Sequence, residues 1–141
     1  MFELIYMSSA TKKLTEEEIN LLLLKARHYN IQHGITGVLL YIEGDFLQVL
    51  EGRKDAVMTL FEKIKKDVRN KVVIIVHEGE KEKRNFPDWS MGFHSSTYEK
   101  LRHITGFKDL DKPNFYKVDD KTAIIFLNDF IKSHNEKITF W

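Results

Sequence analysis

The sequence predicts an α+β sandwich, in which one mixed sheet carries two helices on one face and is followed by a helical extension. Three observations carry that prediction. Short β-rich runs and two stretches of helical periodicity follow one another in the order βαββαββ. Two of the runs are joined through a glycine turn, the mark of a hairpin. The 141 residues, 43% hydrophobic and 12% aromatic, can bury one core but hardly two.

Residues 2 to 8 are apolar and partly alternating, with Phe2, Leu4 and Tyr6 on one face and Ile5 and Met7 on the other, as in a strand. Thr15 followed three positions later by Glu18 is a capping box, and Leu14 and Ile19 stand where a hydrophobic staple would hold the entry to a helix. That helix runs to about Tyr29. Its stripe of Ile19, Leu22, Leu23 and Ala26 packs on the sheet, and Gly34 offers a stop. Thr36 to Ile42 and Phe46 to Glu51 flank Glu43-Gly44-Asp45 and read as adjacent antiparallel strands. From about Asp55 to Lys66, Val57, Leu60, Phe61 and Ile64 repeat at three and four, so a second amphipathic helix follows. Val72 to Val76 is continuous and β-branched, a strand covered on at least one face. Trp89 to Phe93 reads as a fifth, shorter strand. This order matches a ferredoxin-like sandwich, a mixed five-stranded sheet with both helices on one face.

Beyond His94 the pattern loosens until Lys121 to Ser133, where Ala123, Ile124, Leu127, Phe130 and Ile131 form another apolar stripe that Asp119 or Asp120 could cap. A helix of this kind needs a surface to cover, either the open sheet face or another subunit. The expected division is residues 1–95 as the sandwich and residues 96–141 as a helical extension for docking or oligomer contacts.

Composition excludes several function classes. Lys and Arg number 22 against 21 Asp and Glu, a formal net charge of +1, so no global field draws in nucleic acid or an anionic membrane. The absence of cysteine removes disulfides, thiolate nucleophiles and cysteine metal sites. No basic-then-apolar leader opens the chain and no apolar run approaches the ~20 residues that span a bilayer, so the expected location is the cytoplasm. His28, His33, His77, His94, His103 and His134 show no metal-ligand spacing on a helix. The loop Lys81-Glu82-Lys83-Arg84 mixes signs and reads as a solvated face. Phosphate loops, nucleophile elbows and paired catalytic carboxylates are absent.

Function must therefore be sought in polar residues on apolar faces. Phe46, Gln48 and Leu50 share a strand face, and an unpaired buried amide costs roughly 1–3 kcal/mol, so Gln48 must meet a partner. Tyr6, mid-strand beside Phe2 and Leu4, makes the same demand through its hydroxyl. A Tyr6–Gln48 pair is the simplest answer. Taken singly, each residue also has a plain structural reading: Tyr6 a core tyrosine with its hydroxyl at the rim, Gln48 a satisfied structural amide, Asn30 a helix C-cap, Trp89 a large core residue. Spacing and composition stop at a ferredoxin-like domain whose polar groups await a ligand.

Five segments carry the reading further. Leu4-Ile5-Tyr6-Met7-Ser8-Ser9, Asn30-Ile31-Gln32-His33-Gly34-Ile35-Thr36-Gly37, Phe46-Leu47-Gln48-Val49-Leu50-Glu51-Gly52, Asp67-Val68-Arg69 and Phe86-Pro87-Asp88-Trp89-Ser90-Met91-Gly92-Phe93 resemble, in order and approximate spacing, the signature stretches of the BLUF family of blue-light sensors. The third is the most specific. The resemblance covers residues 1 to about 95 and implies a non-covalent flavin, usually FAD, held between the two helices and above the sheet.

Position by position, Tyr6 matches the family's electron-donating tyrosine and Gln48 the glutamine that links it to the flavin. Asn30 matches the asparagine on the flavin's carbonyl edge. Lys63 stands where relatives often carry an arginine, and Arg69 matches a basic residue near the ribityl and phosphate side. Trp89 and Met91 fall on the fifth strand and would relay the signal, while Ile5, Leu22, Leu23, Ile35, Phe46 and Phe61 are candidates for apolar walls. In such proteins the tyrosine gives up an electron and a proton after blue excitation, the glutamine's hydrogen bonds rearrange, and absorption shifts reversibly to the red. Tyr29 stands where many relatives have asparagine or histidine, and Asn70 where histidine is common; both departures bear on cofactor affinity and tuning. With no space for an enzymatic output domain after the signature segments, the expectation is a non-enzymatic, stand-alone photoreceptor and homo-oligomer that acts on an unidentified signalling protein, without direct nucleic-acid or membrane contact. The alternative is a flavin-free ferredoxin-like domain that binds a small molecule or resembles acylphosphatase; a third is an assembly module without a light response.

Overall fold

The computed structural model of the chain describes residues 1–99. Its elements, in chain order, are β1 (Phe2–Ala10), α1 (Glu16–His33), β2 (Thr36–Ile42), β3 (Asp45–Gly52), α2 (Lys54–Lys66), β4 (Asn70–Glu80) and β5 (Gly92–Ser96). The strands form one sheet in the order β4-β1-β3-β2-β5; neighbours among the first four pair antiparallel and β5 lies parallel to β2. This is the mixed ferredoxin-like sheet that the element order predicts.

Local chemistry explains where the elements begin and end. The capping box forms: Glu18 N–H donates to Thr15 Oγ1 and Thr15 N–H to Glu18 Oε1, each at 3.1 Å. α1 runs four residues past Tyr29, because Asn30 keeps helical geometry and the stop is Gly34, in the left-handed region at φ 66°. Asn30 is therefore not the C-cap. Its carbonyl accepts from the backbone N–H groups of Gly34 and Ile35, while its side chain is free to act elsewhere. The hairpin between β2 and β3 turns on Glu43 and Gly44, both at positive φ (49° and 93°), the pairing of signs that suits a tight two-residue loop.

Both helices pack on one face. Leu23 of α1 and Val57 and Phe61 of α2 join Phe2, Leu4, Tyr6, Leu39, Phe46 and Leu50 in a single buried cluster. The central strands are buried on the other face as well: Ile5, Met7, Val38, Leu40, Ile42, Leu47 and Val49 lie there, each no more than 3% exposed. The helix expected over Lys121–Ser133 lies outside the described residues, as does the expected extension from residue 100 on. The chain leaving β5 is tied to the hairpin, with the Tyr98 hydroxyl donating to Asp45 and its N–H to Glu43.

Three expectations need correction. The fifth strand starts at Gly92, not Trp89; Trp89 and Met91 lie in the connection that leads into it, where their carbonyls accept from Gly37 N–H and the Arg27 side chain. β4 is longer than Val72–Val76 and less covered, because it is the sheet's edge: Val72, Ile74 and Ile75 are between 39% and 55% exposed, and only Val73 of this run packs on the helix-side core. The charged loop after β4 is not simply a solvated face. Lys81 bridges Glu3 and the fully buried Glu51 at 2.6 and 2.8 Å, and Arg84 donates to Thr36 Oγ1 and to the carbonyls of Glu51 and Gly34. Burial alone would lower the Lys81 pKa, but the hydrogen bonds to the two carboxylates outweigh it and raise it above its ordinary value.

Candidate functional site

β1 and β3 are neighbours in register, with Tyr6 opposite Gln48. The pleat sends both side chains to the helix face, and the Tyr6 hydroxyl donates a short hydrogen bond to Gln48 Oε1. Gln48 Nε2 in turn donates to Met91 Sδ at 3.3 Å. A phenol, an amide and a thioether thus form one buried chain across three segments that are remote in sequence.

A cavity of about 330 Å³ opens beside this chain, between α1 and α2 and above the sheet, a size typical of small-molecule and cofactor clefts. Its lining includes Tyr6, Asn30, Gln48, Lys63 and Arg69, with Leu22 and Phe46 among the apolar walls. Leu23, Ile35 and Phe61 are buried in the helix-side core but do not line the cavity. Ile5 is on the wrong side altogether: it pairs with Val49 and points to the other face of the sheet, as the alternation from Tyr6 requires. Trp89 is not in the lining either; its ring stacks on Phe86 at 5.4 Å, while Met91 is fully buried against Gln48.

Burial, and next the negative charge of Asp67, raise the Tyr6 pKa well above the ordinary tyrosine value, so the phenol holds its proton. At the mouth stand Lys25, Lys63 and Arg69 with a single carboxylate, Asp67. Arg69 grips Asp67 through Nε and Nη2, a fork that keeps the Asp67 pKa below the usual carboxylate range. Lys63 Nζ sits 4.6 Å over the Tyr29 ring, which also stacks on His33. Spacing alone did not pick out Lys25, Leu39, Leu60, Ile64 or Asp67 as lining; a helix stripe read for core packing does not say which of its members border a void.

Among the described residues, one buried polar atom of the lining lacks a partner. Asn30 Nδ2 donates to the Ser90 carbonyl at 2.7 Å, but Oδ1 is buried with no donor among the described residues. An amide oxygen in that condition costs on the order of 1–3 kcal/mol unless a ligand supplies the N–H.

Residues 1–92 match the profile of the family described as BLUF, sensors of blue-light using FAD. The chain belongs to the BLUF family. It is 36% identical over 108 residues to the photoactivated adenylate cyclase subunit beta of Euglena longa, and 35% identical over 108 residues to the subunit of the same name in Euglena gracilis. Each alignment takes in 76% of this chain, which spans only 12% of the length of those curated relatives. Among solved structures, the photo-activated state of BlsA superposes with a TM-score of 0.79 at 28% identity, covering 91% of this chain and 92% of that one. The dark state of BlrB, a BLUF protein, gives a TM-score of 0.66 at 29% identity, covering 86% and 93%.

The BLUF domain is thus a blue-light sensor whose cofactor is FAD, and sensing, not enzymatic turnover, is its activity. The cavity fits that group. The orphaned Asn30 Oδ1 suits the imide N–H of an isoalloxazine ring, the apolar walls suit its faces, and the cationic mouth suits a diphosphate. Among the described residues no helix is long and apolar enough to cross a membrane.

Proposed function

We propose that this BLUF protein switches through Tyr6 and Gln48, with Met91 as the first element to register the change. The observation that carries the proposal is the continuous hydrogen-bond chain Tyr6–Gln48–Met91 bordering a cavity in which Asn30 Oδ1 awaits a donor. The bound flavin supplies the blue absorption and, once excited, the place for an electron to go. Tyr6 is the donor because its phenol is oxidisable and protonated. Loss of an electron turns a phenol into a strong acid, so its proton leaves along the bond to Gln48 Oε1, and return of both restores the phenol.

Gln48 can come back changed. Its amide is nearly symmetric in shape but carries an acceptor on one arm and a donor on the other, so a half turn exchanges the two without changing its volume. The exchanged form presents Oε1 to Met91, whose thioether has no hydrogen to give, and the contact between them is lost. Asn30, Lys63 and Arg69 hold the flavin, Leu22 and Phe46 wall it, and Trp89, next but one to Met91, belongs to the relay. The output is a changed protein–protein contact made by a cytoplasmic homo-oligomer with a signalling partner, not turnover of a substrate.

The test is the visible spectrum before and just after blue illumination. Wild type should show a flavin band that moves to the red and recovers in the dark. Gln48→Leu should keep the flavin and lose the shift, and Tyr6→Phe should do the same. A Gln48→Leu protein that shifts and recovers like wild type would sink the assignment.

A further inference from the structure

Arg27 has no part in the cavity, yet its side chain is nearly inaccessible, 4% exposed. It leaves α1 on the side turned toward β2 and β5, where Leu23, Tyr41 and Phe93 line the same groove. A guanidinium keeps its charge wherever it is placed, and withdrawing it from water is costly, as its pKa, lowered by burial, records. Arg27 Nε donates to the Met91 carbonyl at 2.9 Å. One turn along the same helix, Asn30 donates to the carbonyl of Ser90. Two consecutive carbonyls are thereby gripped by α1 just before β5 begins at Gly92. Met91 is consequently held at both ends, its main chain by Arg27 and its sulfur by Gln48.

We propose that Arg27 is a positioning residue of the photocycle: it keeps the Met91 main chain in place after Gln48 turns, so that the sulfur stays beside the amide and draws it back, setting the rate of dark recovery. The inference rests on the Tyr6–Gln48 switch described above. Only one end of the Met91 clamp depends on light. When Gln48 stops donating, the charge-assisted bond from Arg27 remains, and the thioether waits at the position the returning amide needs. Without that bond, Met91 must find its place again before recovery can finish.

The experiment follows dark recovery of the flavin band in the full chain, per bound flavin, for wild type, Arg27→Gln, Arg27→Lys, Met91→Leu and the Arg27→Gln/Met91→Leu pair, with Gln48→Leu as control. Arg27→Gln should form the red-shifted state with undiminished amplitude and return about tenfold more slowly, the ratio that one lost hydrogen bond to a charged group supports. Arg27→Lys, which keeps charge and most of the length, should slow less. In the Met91→Leu background, which has no sulfur to position, Arg27→Gln should change recovery by less than about twofold. A general packing role would instead lower thermal stability or flavin occupancy and leave the rate per bound flavin alone. Recovery of both Arg27 variants within about twofold of wild type overturns the proposal, as does equal slowing with and without Met91. If Arg27→Gln loses its flavin, Arg27→Lys is read by the same criteria. A Gln48→Leu protein that still shifts and recovers removes the switch and the inference together; one that fails to shift while the Arg27 variants recover normally removes the inference alone.

Discussion

At the scale of single residues the site depends on keeping a phenol neutral. Burial, the larger cause, and the Asp67 carboxylate both raise the Tyr6 pKa above its value in the unfolded chain. A raised folded value means that the stability linked to this group is complete below the ordinary tyrosine pKa of about 10 and is lost as pH rises from there through the folded value. We therefore expect the photoshift to persist up to about pH 9.5, and the phenolate absorbance of Tyr6, isolated by subtracting a Tyr6→Phe titration, to appear only with unfolding. A Tyr6 phenolate that forms while the fold is intact would contradict this. Asp67 runs the other way. Its pKa is lowered first by the Arg69 side chain, so that contribution is present above the ordinary carboxylate value of about 3.9 and is lost only as pH falls below it.

Among elements, the helix start and the hairpin carry separate, measurable contributions. The Thr15–Glu18 box satisfies two backbone N–H donors at the start of α1, and Thr15→Ala should cost about 1 kcal/mol in urea denaturation with an unchanged slope. Gly37 is a stricter requirement. A Cβ built on it would lie 1.9 Å from the Val49 carbonyl oxygen across the β2–β3 ladder, so Gly37→Ala should destabilise by about 2 kcal/mol or more. A variant as stable as wild type would show that the two strands are not packed this closely. These elements were legible in advance because capping boxes, glycine turns and apolar periodicity are written in neighbouring residues. The start of β5 was not. Trp89 to Phe93 has strand-like composition, but tertiary bonds from Gly37, Arg27 and Asn30 claim the carbonyls of Trp89 to Met91 before any ladder forms.

Across the whole molecule, a second polar cluster ties the sheet together on the face away from the cavity. Glu51 has no exposed surface, pairs with Lys81 and accepts from the backbone N–H groups of Asn85 and Phe86 at 2.8 Å. It fixes the segment that later delivers Met91 to Gln48. Replacing it with glutamine leaves Lys81 with Glu3 as its one carboxylate and turns one buried acceptor of the cluster into a donor, so Glu51→Gln should cost about 3 kcal/mol and lower the melting midpoint by roughly 10 °C. A melting curve that superposes on wild type would show the cluster to be dispensable. Lys81 has a raised pKa, so its share of this stability is present below the ordinary lysine value of about 10.4 and is lost as pH rises through the folded one.

What the sequence by itself determined is the order of elements, the sorting of β1 and β3 side chains into two faces, and the pairing of Tyr6 with Gln48. Each follows from local rules: alternation assigns faces, periodicity assigns helices, and a buried amide and a buried phenol both demand a partner. Only the tertiary structure decided that Met91 reaches Gln48 while Trp89 stacks on Phe86, that Ile5 faces away from the cavity, and that Lys81 and Arg84 turn inward to serve β3 and the end of α1. The physical reason is separation along the chain. Residues 43 apart, as Gln48 and Met91 are, meet only after sheet register and loop closure have been settled together, and no local pattern specifies both.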